Sequence, residues 1–546
     1  MAAKARFVLG FVLSASAALA QQPTPTAPVF VSEVTVNNIT VDVKVVDAQG
    51  VPVPDLRKAD FRIVEDGKDQ AVTNFLAVIG GQVTASPDGT VVGQAAPRQI
   101  VVFFDLYQLI EPDKRAVLES LRDQISVGLP PAETMSIVSF DGTLRVHTPP
   151  TASREKLLEA LKAVDRLPAA GLQHQIRLST FRTDDLRTGR SYAGYEYRRT
   201  QNEEYWNEMR QIIGRVESAF SATLDRFALA PGARKVVLMV SPGFPRVENV
   251  PTYRYYDFFR DAPPSDYRNV GLFDHAARVA SELEYTLYAL DPSGDSLSEV
   301  SAANSRPNYN FTDVANARFW READRKDNLI NAAKITGGDA MFTSNGGAAL
   351  ADVERLTSSY YSLAFQPEHF GDSKEHQIKV EVVGHPDYQL TYRKSYVDRP
   401  PEQREADRTR AALLTGQTEN ALGVELVLDK PTSKFRWGAE GMHLYRFNAE
   451  LRIPYAHLTM LPRGSVAWGQ IRIVVMATDP KGNQSELTHQ KVPIEVPADK
   501  LEEAQQRGYF AYRFTLEIEG GTRTLRIAVD EVLAHTTSAV VADLKL

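Results

Sequence analysis

Three short runs of unbroken apolar residues constrain this chain more than any other feature: Ile100–Phe104 (IVVFF), Val236–Val240 within KVVLMV, and Tyr285–Leu290 (YTLYAL). Each is too short for a buried helix, and none alternates as a strand with one wet face does. Each therefore reads as a strand covered on both faces, the condition of a parallel sheet with helices above and below. Met135–Phe140 is a further strand, which Asp141-Gly142 turns into Thr143–His147.

Helical periodicity fills the intervals. Pro112–Val127 places Ala116, Leu118, Leu121 and Ile125 on one face with proline in the first turn. Ser153 caps a helix over the following residues (REKLLEALKAV). Glu203–Phe227 steps Trp206, Met209, Ile213, Val216, Phe220, Leu224 and Phe227 at helical spacing. Asn328–Thr336 is a helix stopped by Gly337-Gly338. Strands alternating with helices over residues 98–367 predict a Rossmann-like, doubly wound α/β domain with a mostly parallel sheet, carrying insertions near 171–202 and 243–270.

The flanks read differently. Lys4 and Arg6, the apolar stretch Phe7–Ala20 and the small-residue end Ala18-Leu19-Ala20 form a secretory signal over residues 1–20, too short to span a bilayer of about 30 Å. A Pro/Thr linker (21–28) leads to a small N-terminal β-module (29–78), where Val34–Val46 alternates and Phe61–Glu65 is closed by Asp66-Gly67. Residues 79–97 are a linker. Beyond the α/β domain come a β-extension (368–398), a charged helical linker (399–422) and a β-rich stretch (423–546) that predicts an Ig/Fn3-like antiparallel sandwich.

Composition narrows the function. The chain has no cysteine, which removes thiol nucleophiles, zinc–thiolate sites and disulfides. With 62 basic and 69 acidic side chains the net charge is −7, against a nucleic-acid partner. The ten histidines form no H-E-x-x-H, and there is no G-x-S-x-G elbow and no phosphate-binding glycine loop. No later segment is apolar enough to span a membrane, so after cleavage the expected protein is periplasmic or extracellular and not an enzyme.

Four segments carry a family resemblance. Asp60–Gln70 (DFRIVEDGKDQ), Ile100–Asp105, Ile335–Phe342 (ITGGDAMF) and Ser358–Pro367 (SSYYSLAFQP) are similar, in order and spacing, to exported bacterial von Willebrand factor A-related proteins of the kind known from acidobacteria. The likeness covers most of residues 30–400. It implies an A-type α/β domain with Ser358–Pro367 as its last strand. It also implies a divalent ion (Mg²⁺, Ca²⁺ or Mn²⁺) held by D-x-S-x-S after the first strand, a threonine in a later loop and an aspartate after the fourth strand. Here Asp105-Leu106-Tyr107-Gln108-Leu109 keeps the aspartate and loses both serines, and Ser241-Pro242-Gly243 replaces the second aspartate. Asp105 and Ser241, with a loop threonine such as Thr180, are what remains. One carboxylate is a poor set for a hard cation, so no cofactor is expected.

In place of the metal, the two insertions concentrate aromatic and arginine residues: Arg190, Tyr192, Tyr195, Tyr197 and Trp206 in one, Tyr253, Tyr255, Tyr256 and Arg260 in the other. These residue types dominate protein interfaces, and equally they pack insertions onto their own domain. The reading is a protein–protein interaction module whose partner and oligomeric state the residues do not name. Two alternatives stand beside it: a metal-dependent adhesin with a rearranged site, and an envelope hydrolase with its site in the insertions.

Overall fold

The computed structural model describes residues 10–12, 38–86, 92–174, 192–228, 233–243, 273–293, 325–414, 420–430, 433–437, 442–479, 485, 488–534 and 536–545. The chain forms two compact units, Val36–Pro400 and Met1–Thr35 with Pro401–Leu546.

The first unit opens with β1 (Ile39–Val46), whose inward side chains alternate with half-exposed ones along its length. β2 (Phe61–Glu65) and β3 (Lys68–Gln70) follow as a hairpin. Its two-residue turn puts Asp66 (φ 47°) and Gly67 (φ 84°) in the left-handed region, as a tight hairpin requires. β4 (Val72–Ile79) and β5 (Gln82–Ala85) form a second hairpin. β5 therefore occupies part of the segment read as a linker, because Gly80 and Gly81 supply the positive φ angles that reverse the chain.

The α/β domain begins at β6 (Arg98–Asp105) and continues through α1 (Glu111–Val127), β7 (Glu133–Phe140), β8 (Leu144–Thr151), α2 (Arg154–Asp165), α3 (Tyr192–Arg226), β9 (Arg234–Val240), α4 (Asp274–Glu282), β10 (Tyr285–Asp291), a helix over 325–335, β11 (Ala340–Phe342) and α5 (Gly346–Leu356). Its sheet runs β11-β10-β9-β6-β7-β8, parallel except for the edge strand β8. β6 and β9 are central neighbours, with Val102 opposite Leu238. Val101, Phe103, Val237 and Met239 face α3 and α4, whereas Ile100, Val102, Val236 and Leu238 face α1, α2 and α5, which is why neither run alternates. The order reverses between β6 and β9, and a ligand in such a sheet sits outside the carboxyl ends at that reversal.

The Thr336-Gly337-Gly338 helix end has a local cause. Thr336 Oγ1 accepts the Leu287 amide at 2.8 Å, while a Cβ on Gly338 would lie 1.8 Å from the Leu287 carbonyl oxygen. Only glycine lets the chain approach β10 this closely.

β12 (Tyr360–Phe365) corrects the sequence reading. It does not complete the α/β sheet, whose last strand is β11. It lies between β1 and β4 in a five-stranded antiparallel sheet, β14-β1-β12-β4-β5, with β14 spanning Gln389–Thr391. Tyr361, Leu363 and Phe365 are buried there with Val41, Val43 and Ile63, and the Tyr361 hydroxyl donates to the Val53 carbonyl at 2.7 Å. A four-stranded sheet, β15-β13-β2-β3, shares this core, with β13 at Glu375–Val382 and β15 at Ser395–Val397. The segments read as an N-terminal module and a separate extension are thus two halves of one β-sandwich, and the α/β domain is inserted between them. Two-residue periodicity cannot reveal this, because it reports which face of a strand is buried and not against which strand.

The second unit holds two antiparallel sheets around one core. One contains Glu425–Leu428, Ser433–Trp437, Met442–Pro454 and Tyr509–Glu519, with Gly10–Val12 at the edge. Three residues of the segment read as a leader therefore pair with residues 515–517. The other contains Leu461–Arg463, Val466–Thr478, Thr488–Pro497, Thr522–Glu531 and Thr536–Lys545. The stretch read as a helical linker is α6 (Pro401–Leu414), and it is packed: Leu413 is buried with Val474, Met476 and Ala528. Among the described residues no helix is long and apolar enough to cross a membrane.

Candidate functional site at the carboxyl edge of the α/β sheet

β6 ends on Asp105 and β9 runs into Ser241, which puts these two residues side by side at the topological reversal. Ser241 Oγ donates to Asp105 Oδ2 at 2.7 Å and accepts the Gly243 amide at 3.2 Å. The Gln108 amide donates to the other carboxylate oxygen, Oδ1, at 3.2 Å. Asp105 is completely buried. Burial pushes its carboxyl up to about 7, and the hydrogen bonds from Ser241, Gln108 and Tyr107 offset only part of that.

These residues do not fit a divalent ion. A hard cation needs several ionised or hydroxyl oxygens facing open space. Leu109, at the second serine position, is buried in the apolar core under β6. Tyr107, at the first, turns its ring to Phe140 and His174, with ring centroids 5.4 and 4.1 Å apart. The mouth itself is covered. Ala170 donates its amide to the Leu106 carbonyl and Gly171 to that of Leu109, and His174 Nδ1 lies 2.8 Å from the Tyr107 carbonyl oxygen. A Cβ on Gly171 would sit 2.0 Å from the Gln108 oxygen, so glycine is what allows residues 169–171 to close over the loop.

Asp291 was missed. It ends β10 as Asp105 ends β6, and the apolar-strand-then-Asp pattern in YTLYALDPS was its signal. It is buried, its Oδ1 takes the Ser293 amide at 3.0 Å and the Ser293 hydroxyl at 2.6 Å, and burial raises its pKa against those bonds. Both strand-end carboxyls thus accept hydrogen bonds from within the edge: Asp105 from its own loop and from Ser241 after β9, Asp291 from its own loop.

Of the remaining candidates, Arg190, Tyr253, Tyr255, Tyr256 and Arg260, together with Thr180, lie outside the described residues. Tyr192, Tyr195, Tyr197 and Trp206 lie on α3, which begins at Tyr192 and not at Glu203 as the periodicity indicated. The apolar positions from Met209 to Phe227 are buried as their spacing predicts. At one end the Phe227 carbonyl accepts from Gln99, at the start of β6. Further up, Arg215 donates to the Tyr107 hydroxyl at 3.2 Å, which marks the level of the carboxyl edge. Thirty-five residues make a helix about 52 Å long, against about 23 Å for the seven residues of β9. The helix is thus longer than the strand by roughly 29 Å.

A Ser–His pair is present but does not form a catalytic dyad. Ser139 Oγ and His147 Nε2 are 2.8 Å apart on the adjacent strands β7 and β8. Ser139 is fully buried, so no substrate reaches it, and desolvation, assisted by Arg145, pushes His147 down to about 4, too weak a base for the task. A cavity of about 260 Å³ opens at the opposite, amino edge of the sheet. It is lined by structural pairs: Arg98 Nε donates to Glu133 at 2.6 Å, and Arg234 lies 4.1 Å over the Tyr360 ring.

No protein-family model matches the chain, and no curated protein does. Among solved structures, an aerotolerance-related membrane protein from Bacteroides fragilis carrying multiple mutations to serines is 11% identical, covering 47% of this chain and 98% of its own, at a TM-score of 0.25. The conserved hypothetical protein BatB from Bacteroides thetaiotaomicron is 12% identical over 48% of this chain and 97% of its own, also at 0.25. A von Willebrand factor type A protein from Catenulispora acidiphila is 11% identical over 89% of this chain and 72% of its own, at 0.24. Likenesses at these TM-scores carry no argument about fold or function.

Proposed function

We propose that the chain is an exported, non-enzymatic bacterial protein whose von Willebrand factor A-type domain binds another protein at its carboxyl edge without a metal ion. The sheet order with one antiparallel edge strand, together with the resemblance of residues 30–400, supports the domain type. The leader-like residues 1–20 support export. A buried Asp105 capped by Ser241 under a closed loop supports metal independence.

The observation that carries the reading is α3. A 35-residue helix is far longer than the strands beside it, and Tyr192, Tyr195 and Tyr197 stand in its first two turns, toward the carboxyl edge where a ligand of this fold class binds. The test is affinity capture from envelope extracts with the full chain and with a variant lacking residues 192–206. Capture is expected to be lost in the variant and unchanged by EDTA in the parent. Equal capture by both, or dependence on divalent ion in the parent, would overturn the proposal.

A further inference from the structure

The β-sandwich holds a second polar cluster, far from the strand ends in sequence and used by none of the chemistry above. His369 and His376 lie face to face, with ring centroids 3.6 Å apart and planes 10° from parallel. Every ring nitrogen meets a carboxylate. His376 Nδ1 is 2.8 Å from Asp66 and its Nε2 is 3.1 Å from Asp372. His369 Nδ1 is 3.0 Å from Asp398 and its Nε2 is 3.3 Å from Glu65.

A neutral imidazole has one N–H and one lone pair, so it cannot donate to two carboxylates at once. The carboxylates around His376 are held in their ionised form by further donors: the Gln377 amide on Asp66 at 2.8 Å and the Lys374 amide on Asp372 at 2.9 Å. His376 must therefore carry both protons. Glu65, His369 and His376 each bring a ligand atom within 4.8 Å of the others, but rings lying face to face direct their lone pairs along parallel planes, and every ring nitrogen is already within hydrogen-bond distance of a carboxylate.

We propose that the stacked His369–His376 pair is a proton-operated latch, closed when the His376 ring is cationic, that ties the β2–β3 turn and the loop before β13 to the end of β15. Glu65 and Asp66 come from the hairpin, His369 and Asp372 from the loop, His376 from β13, and Tyr396 and Asp398 from β15 and just beyond it. Tyr396 donates its hydroxyl to Glu65 at 2.5 Å, and Gly371 its amide to Asp398 at 2.6 Å. Two other cations face the cluster, Lys374 at 3.6 Å from Asp372 and Arg393 at 5.7 Å from the Tyr396 ring. Neither replaces a ring proton.

Burial alone would lower the pKa of His376; the hydrogen bonds and charges of Asp66 and Asp372 outweigh it, and the net direction is up. The sign follows. A cation whose pKa is raised on folding stabilises fully below its unfolded value, about 6.5, and that stability is lost as pH rises through the folded value. Above it, Asp66 and Asp372 face a neutral His376 ring and the latch opens.

The experiment uses the full chain with isotope-labelled histidine, the His376 resonance being assigned with His376→Gln. A midpoint above the ordinary histidine value of about 6.5 is expected; a midpoint at or below it overturns the latch. Hydrogen exchange over residues 366–377, corrected for the intrinsic rate, should rise between pH 6 and 8.5 in the parent and stay flat in His376→Arg, which is cationic throughout. The same rise in both proteins overturns it. So does loss of the histidine titration in micromolar Zn²⁺ with recovery in EDTA, since an ion and not protons would then hold the cluster.

Discussion

Replacing Asp105 by asparagine tests the carboxyl edge most directly, because the amide reproduces the protonated carboxyl. Its oxygen can accept from Gln108 and its NH₂ can donate to Ser241 Oγ, which already accepts from Gly243. The carboxyl's pKa is 3.8 when exposed and about 7 when buried here. Between those values the folded protein keeps a proton that the unfolded chain has released. Parent stability therefore falls by about 1.4 kcal/mol per pH unit and levels off above the folded value. Asparagine has no such dependence. The advantage of Asp105→Asn over the parent should thus grow by about 2–3 kcal/mol between pH 5 and pH 8. Guanidinium denaturation at the two pH values, with m-values compared to ensure that the same unit is unfolding, reads the difference. A constant gap between the proteins would refute the buried, proton-holding carboxyl. So would a rise in the parent's Tm in millimolar Mg²⁺ that Asp105→Asn abolishes, because a ligand that binds only the native state must stabilise it.

Other substitutions probe the frame around that site. Ser241→Ala should cost about 1–3 kcal/mol, more at pH 8 than at pH 5, because it leaves a buried carboxyl oxygen and the Gly243 amide without their shared partner; equal cost at both pH values would separate Ser241 from the charge of Asp105. Val102→Lys or Leu238→Lys should leave the α/β domain unfolded, since each places an unpaired charge between two helical layers, and near-parental melting of either would contradict the register of β6 on β9. Gly338→Ala must push β10 away from the helix end and should cost more than about 2 kcal/mol by thermal melting. Tyr195→Ala and Tyr197→Ala should change stability by less than about 0.5 kcal/mol yet weaken partner capture by about 1–3 kcal/mol; the reverse pattern would make these side chains packing groups.

The parts of the fold legible in the sequence are those where one segment's pattern has a single physical solution. IVVFF and KVVLMV admit only a doubly covered strand, and Asp66-Gly67 only a tight hairpin turn. Ser153 ahead of a helical run acts as the cap it resembles, its hydroxyl accepting the Lys156 amide at 3.4 Å. The misreadings concern partners. SSYYSLAFQP is recognisably a strand, but whether it joins β11 or β1 depends on α5 carrying the chain back to the sandwich, and no local pattern records that. The start of α3 was placed too late for a related reason: the apolar periodicity begins at Trp206, while helical backbone extends back to Tyr192 through a polar stretch that carries no apolar stripe to mark it.

The site divides along the same line. That Tyr107, Leu109 and Ser241 stand where the resemblance implies metal-binding side chains is visible residue by residue. What covers the loop after β6 was not, because it comes from a segment more than sixty residues away that closes over it by backbone: Ala170 and Gly171 donate to the carbonyls of Leu106 and Leu109. The binding proposed above then falls to groups outside this closed loop. We place it on α3, which the Tyr107–Arg215 hydrogen bond ties to the loop after β6. The proposal thus joins two features of one edge: a buried carboxyl hydrogen-bonded to Ser241 under a closed loop, and a 35-residue helix beside it.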